Sequence, residues 1–461
     1  MERESAWKKY DEAQLREVQQ LSDEYREFIS DCKTERECVA RCIALARERG
    51  YQDLEELIDR NLPLQPGDKV YVSCMDKTLA LFNVGRDPLE EGLAILGAHV
   101  DSPRIDVKQE PLYEAESAAY FDTHYYGGVK KYQWVTIPLA IRGLAVKKDG
   151  ERVKINIGDH PGDPVFCISD LLIHLSQEQL EKKGRKVVEA EDLDLLVGSI
   201  PLAGEEKDAV KKNVLRLLEE EYGLEEADLT SAELELVPAG EAREAGLDRS
   251  LILGYGQDDR VCAFTSLLAM LEVDDVQRTT CCFLCDKEEI GSVGATGARS
   301  RFFENAVAEL LERAGQLTPL ALSRCLRRSR MLSSDVSAAY DPLYAAAFNK
   351  RSACYLGKGM VFNKFTGSGG KSGSNDANPE FIADIRRVLD EAGVSYQNAE
   401  LGKVDLGGGG TIAYIFALLG MEVVDSGVAV LSMHAPWELT SKADLYEAKR
   451  GYAAFLRHIF D

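Results

Sequence analysis

LILGYGQDDRVCAFTSLLAMLEVDDVQRTTCCFLCDKEEI, residues 251–290, decides the fold class. An apolar run around LILGYG reads as a strand. DDRVCAFTSLLAML reads as a helix, and TTCCFLCD as a second buried strand. The same alternation continues to a C-terminal helical segment, SKADLYEAKRGYAAFLRHIF, residues 441–460. Strand alternating with helix predicts an α/β layer with a mostly parallel central sheet flanked by helices. Upstream, DKVYVSCM, TLALFNV and GLAILGAHVD supply further strands between residues 67 and 101. Residues 1–50 read as two amphipathic helices, the second opened by a capping box of Thr34 and Glu37. Residues 106–248 differ in character: β-rich at first (YQWVTIPLAIRGLAV, ERVKINIG), then charged and helical (KDAVKKNVLRLLEEEYG). The simplest architecture joins 1–105 and 249–461 into one α/β domain and inserts 106–248 as a second, β-rich domain.

Composition narrows the function. The chain has 461 residues, with 55 Lys and Arg against 78 Asp and Glu, a formal charge of -23. No basic block offsets this, so nucleic acid and anionic membrane surfaces are excluded as expected partners. No run of ~18 apolar residues predicts a membrane span, and the charged N-terminus lacks the apolar centre of a signal peptide. Eleven cysteines, an odd count, fit free thiols in a reducing cytoplasm. Cys282 and Cys285 form a CxxC inside a buried strand pattern, with no second CxxC to complete a zinc site.

Two glycine-rich stretches need separate readings. FTGSGGKSGSNDANP, 365–379, contains GGKS, but Phe365 stands where a P-loop needs its first glycine. A loop is predicted instead. Gly407–Gly410 precede an apolar segment. Their bare amides at a helix start could hold an anion or oxyanion, or the glycines could serve close packing.

Five segments carry groups suited to chemistry, each following a strand-like run. In ILGAHVDSP, His99 and Asp101 are two apart and share a side in extended chain. A carboxylate there can hold one ring nitrogen and leave the other for a metal. A satisfied core histidine explains the pair equally. Asp258 and Asp259 sit where strand passes to helix, and N-capping is their simpler reading. In FLCDKEEIGSVGATG, Asp286, Glu288 and Glu289 are crowded carboxylates, tolerable with cations among them or as a solvated acidic loop. Asp335 ends the run RMLSSD, and His434 ends VAVLSMH. Two His, two Asp and one Glu are too many for one tetrahedral zinc. They suit two divalent ions sharing a carboxylate, with zinc favoured and cobalt or manganese compatible.

GAHVDSPR, GYGQDDRVCAF, CDKEEIGS, SSDVSAAYDP and SMHAPWEL resemble, in order and context, the motifs of the aspartyl aminopeptidase family, dinuclear zinc exopeptidases that include vacuolar aminopeptidase I. The resemblance spans essentially the whole chain. It implies that His99 and Asp335 hold one metal, Glu289 and His434 the other, and that Asp258 bridges them. It further implies Glu288 as general base and Asp101 as the group orienting His99. The expected activity is hydrolysis of the N-terminal residue of short peptides by a two-metal-activated water. The expected assembly is a homo-oligomer, a tetrahedral dodecamer in this family, built through the inserted domain. A deacylase or carboxypeptidase on the same scaffold, and a non-catalytic assembly relative, are the alternatives. His124 and His174, in the inserted region, read as surface or core residues.

The aspartyl branch carries Lys-Gly-Pro-x-x-Lys after the ligand aspartate. Here the stretch is Lys358-Gly359-Met360-Val361-Phe362-Asn363-Lys364. The second lysine falls one residue late, which on a strand turns it to the other face. A neutral, leucine-like preference is therefore expected over an acidic one.

Overall fold

The computed structural model describes residues 4–461. The chain forms two compact units: one of Met1–Asp101, Ala242–Met433 and Glu438–Asp461, the other of Ser102–Glu241 with His434–Trp437.

The first unit is built on a nine-stranded mixed sheet. Its order is Gln52–Asp53, Lys69–Cys74, Thr78–Asn83, Thr280–Cys285, Ala94–His99, Arg330–Ser334, Glu422–Gly427, Met360–Asn363 and Tyr396–Asn398. The four strands from Thr280–Cys285 to Glu422–Gly427 run parallel. Antiparallel pairs flank them, made by Thr78–Asn83 on one side and Met360–Asn363 on the other. The central strands are buried throughout, as continuous apolar runs in parallel sheets must be. One core, containing residues of the helices Glu12–Asp31, Glu35–Glu48, Gln257–Glu272, Pro379–Glu391 and Lys442–His458, draws Leu96, Leu284, Leu332 and Val424 from the sheet. A second core takes Ile95, Phe283, Met331 and Val423 together with the helices Phe302–Arg313, Ala321–Arg328 and Ala413–Ala417. Neighbours in sequence thus face opposite cores, the period-two signature of a strand.

Register sets the edge where the centre lies. Cys285 pairs with His99, and Ser333 with Gly97. The strands carrying His99, Cys285 and Ser334 therefore end at one level, and the residues that follow them emerge together.

The N-terminal helices and the Thr34–Glu37 capping box form as expected. The strand LILG does not join the main sheet. Leu251–Gly254 belongs to a separate five-stranded sheet and pairs antiparallel with Glu438–Ser441. The glycine run also differs from expectation. Gly408–Gly409 pairs with Gly367–Ser368 as a short ribbon, and the following helix starts only at Ala413. The two glycine-rich stretches thus partner one another. Cys282 and Cys285 are buried in their strand, and all eleven cysteines are free thiols.

The second unit holds a six-stranded antiparallel sheet ordered Arg152–Ile157, Leu139–Val146, Ala232–Pro238, Arg104–Ala115, Ala118–Tyr126 and Leu195–Gly198. The helix Ala209–Tyr222 buries Val210 and Val214. Among the described residues no helix is long and apolar enough to cross a membrane.

Candidate metal centre

His99 is the last residue of its strand and is 1% exposed. Its Nε2 lies 3.1 Å from Asp258 Oδ1, and its Nδ1 lies 3.0 Å from the Asp101 carbonyl and 3.3 Å from Asp101 Oδ1. Burial alone would lower the imidazole pKa. The hydrogen bonds to Asp101 and Asp258, with the nearby negative charges, push it well up instead.

Asp101 does more than orient the ring. Its Oδ1 accepts the Glu288 amide at 3.1 Å and its Oδ2 the Glu289 amide at 3.2 Å. One fully buried carboxylate thus grips both His99 and the turn Glu288–Ile290. Lys287, in the left-handed region at φ 68°, turns the chain out of the strand into that short helix. Asp286, grouped with the glutamates in the sequence, faces elsewhere. Its Oδ2 accepts from Lys287 Nζ at 2.7 Å and Thr296 Oγ1 at 2.6 Å.

Asp258 and Asp259 follow the separate strand rather than a main-sheet strand, and they do not cap their helix. Neither has helical backbone angles, and the helix start at Gly256 receives no side-chain cap. Asp258 instead meets His99, and Asp259 Oδ2 accepts the His99 amide at 3.3 Å. Asp335 directly follows its strand, and its own amide donates to the Ser426 carbonyl at 3.0 Å.

Three overlapping groups of ligand atoms result, each within 4.8 Å: His99, Asp258 and Glu289; His99, Glu288 and Asp335; Asp258, Asp259 and Asp335. The structure therefore brings together four of the five expected ligands and the expected base. The fifth, His434, lies in the second unit, where its Nδ1 stands 3.0 Å from the Gly128 carbonyl. Sequence reading left two further carboxylates unassigned: Asp259, and Glu438, whose Oε2 accepts the Asp258 amide at 3.2 Å. Glu438 lies inside the quoted motif SMHAPWEL, but nothing local marks its contact, made 180 residues away.

The chemistry of this set fits divalent cations. Burial pushes the Asp259 and Asp335 carboxyls well above the usual range, and repulsion from neighbouring carboxylates adds to it. Asp259 Oδ1 is buried with no hydrogen-bond partner. Imidazole and carboxylate oxygens packed this closely are zinc-type donors, and cations among them would offset the repulsion.

Comparison with known proteins agrees. The family model described as aminopeptidase I zinc metalloprotease (M18) matches residues 28–456. A probable M18 family aminopeptidase 1 of Clostridium acetobutylicum is 57% identical, over 99% of this chain and 98% of that protein. The crystal structure of an M18-family aminopeptidase from Thermotoga maritima matches with TM-score 0.95 at 45% identity, covering 99% of this chain and 100% of that one. That of aminopeptidase I from C. acetobutylicum matches with TM-score 0.93 at 56% identity, over 99% of each chain. The chain belongs to the aminopeptidase I family of zinc metalloproteases, M18.

Proposed function

We propose that this aminopeptidase removes single residues from the free N-termini of short peptides, using two divalent ions, zinc foremost. His99, Asp258, Glu289, Asp335 and His434 would hold them, with Asp258 shared. The observation that carries this reading is the convergence of His99, Asp258, Glu288, Glu289 and Asp335 within hydrogen-bonding and ligand distances beside the carboxyl ends of the central strands. When bound, zinc supplies Lewis acidity that polarises a carbonyl and eases the ionisation of water. Glu288 takes the proton of the attacking water on its carboxylate and returns it to the leaving amine. Asp101 fixes both partners of that chemistry, the His99 ring and the Glu288 amide. An intact base and ligand set argues against a non-catalytic relative, and family membership favours an aminopeptidase over a deacylase or carboxypeptidase.

The preferred N-terminal residue is neutral. Lys364 Nζ is engaged by Asp376, which also takes Lys371 Nζ at 3.0 Å. The charge that would read an acidic side chain is already matched. We further propose assembly into a homo-oligomer, a tetrahedral dodecamer, through the inserted region 106–248, and a cytoplasmic location suited to its free thiols. In the second unit, Leu171, Leu172, Ile173 and Leu175 form an exposed apolar run, 46–70% accessible. Such a run is unusual on a monomer, and a second copy would cover it.

Metal analysis and paired substrates test the reading. About two zinc ions per chain at saturation are expected, and full activity with no more than one overturns the shared-carboxylate centre. Leucyl amides should exceed matched aspartyl amides in kcat/KM. An aspartyl advantage above about tenfold, ~1.4 kcal/mol of transition-state preference, overturns the neutral assignment.

A further inference from the structure

Three of the proposed ligands in the first unit, His99, Asp258 and Glu289, and the proposed base Glu288 donate their main-chain amides to buried carboxylates. Asp101 takes the amides of Glu288 and Glu289, Asp259 that of His99, and Glu438 that of Asp258. Asp335 is the exception, because its amide continues a strand ladder to Ser426. Asp259 and Glu438 are 0% and 1% exposed.

For the single amides that Asp259 and Glu438 accept, a carbonyl or carboxamide oxygen would serve equally well. Placing an ionised carboxylate there instead costs desolvation, and it adds negative charge beside carboxylates that already repel. What a carboxyl group offers beyond a carboxamide is the capacity to ionise when dications occupy the neighbouring site. Groups behind metal ligands set both ligand orientation and affinity.

We infer that Asp259 and Glu438 are positioning residues of the metal centre, Asp259 acting through the main chain of His99 and Glu438 through that of Asp258. This rests on the proposed ligand set. Asp259 and Asp258 are chain neighbours with separate tasks: Asp258 turns its side chain to the His99 ring, and Asp259 turns its own to the His99 backbone. Glu438, at the start of the strand paired with Leu251–Gly254, uses that pairing to reach under Asp258. Asp259 also offers a ligand atom within 4.8 Å of those of Asp258 and Asp335.

Asp444 provides the internal control. It is fully buried and accepts the amides of Gly357 and Gly359 at 2.8 and 2.7 Å, one on each oxygen, so it holds main chain as Asp101 does but bonds no proposed ligand. Zinc release from purified holoenzyme into excess chelating dye is measured for Glu438→Gln, Asp259→Asn and Asp444→Asn. The first two should hold zinc about 10–100-fold more weakly. Both should regain kcat as free zinc is raised, whereas Glu288→Gln should not. Asp444→Asn should release zinc like wild type. Retention within about threefold of wild type in both Glu438→Gln and Asp259→Asn overturns the inference, as does an equal loss in Asp444→Asn. Failure of both to fold in zinc-containing buffer, read by circular dichroism, makes these carboxylates fold determinants and overturns it too. His99→Ala separates the two levels. If it loses zinc while Glu438→Gln and Asp259→Asn keep it, the ligand set stands and this inference falls. If it keeps its full zinc, the ligand set itself is wrong.

Discussion

Glu288 is the proposed base, and its backbone is held independently of its side chain. Asp101 grips the Glu288 amide, so Glu288→Gln should leave the turn, the fold and the zinc content unchanged. It should lower kcat by about 10²–10⁴-fold or more by removing the proton acceptor. Steady-state kinetics beside elemental analysis checks this, and activity above about a tenth of wild type would reassign the base. Asp425 behaves differently. Burial pushes its carboxyl up to about 7, against the pull of hydrogen bonds from Thr411 and Ser333. Both hydroxyls bond the same oxygen, Oδ1, at 2.6 and 3.2 Å. An unfolded aspartate titrates near ~3.9. Between those values the folded chain keeps a proton that the unfolded chain releases. The group therefore destabilises increasingly as pH rises from about 4, and in full above 7. Asp425→Asn keeps the acceptor and removes the ionisation. Its apparent melting midpoint at fixed scan rate should match wild type near pH 4 and exceed it at pH 8, where the stability gained is on the order of a few kcal/mol. A difference constant across pH would refute the assignment.

At the scale of elements, strand register does the positioning. The motif order was readable because each candidate follows an apolar run, and apolar runs are local. Their partners were not readable. LILG looks like a strand of the main sheet, yet it pairs with Glu438–Ser441, because antiparallel partners are chosen by tertiary packing. Gly407–Gly410 was expected to open a helix but pairs with the other glycine-rich stretch, since glycine satisfies either geometry. Gly427 shows how tight the centre is. A Cβ there would lie 1.9 Å from the Asp335 carbonyl oxygen. Gly427→Ala must shift the backbone that carries a proposed ligand. We expect a stability loss of about 1–3 kcal/mol, typical of overpacking, together with reduced zinc content, read by denaturant titration and metal analysis of the same sample. Full zinc at wild-type stability would show that the strand end has slack.

For the whole molecule, the charge of -23 and the exposed apolar run at Leu171–Leu175 pull in opposite directions. Repulsion favours separate chains, and apolar area favours contact. We expect contact to win. Size exclusion with light scattering should give a multiple of the chain mass for wild type and a smaller species for the double variant Leu172→Asp, Ile173→Asp. A fully active wild-type monomer would refute assembly as a requirement. The α/β class, the N-terminal helices and the order of the motifs were legible in the chain itself. Those follow from periodicity and residue chemistry, which are written over a few neighbouring positions. Only the tertiary structure decided what each carboxylate does. Asp286 turns to Lys287 and Thr296, Asp259 to the His99 amide, and Glu438 to the Asp258 amide. The last two join residues 160 and 180 positions apart. No local pattern encodes such a pairing, because it is set by which strand ends the sheet and its covering helices bring to one level.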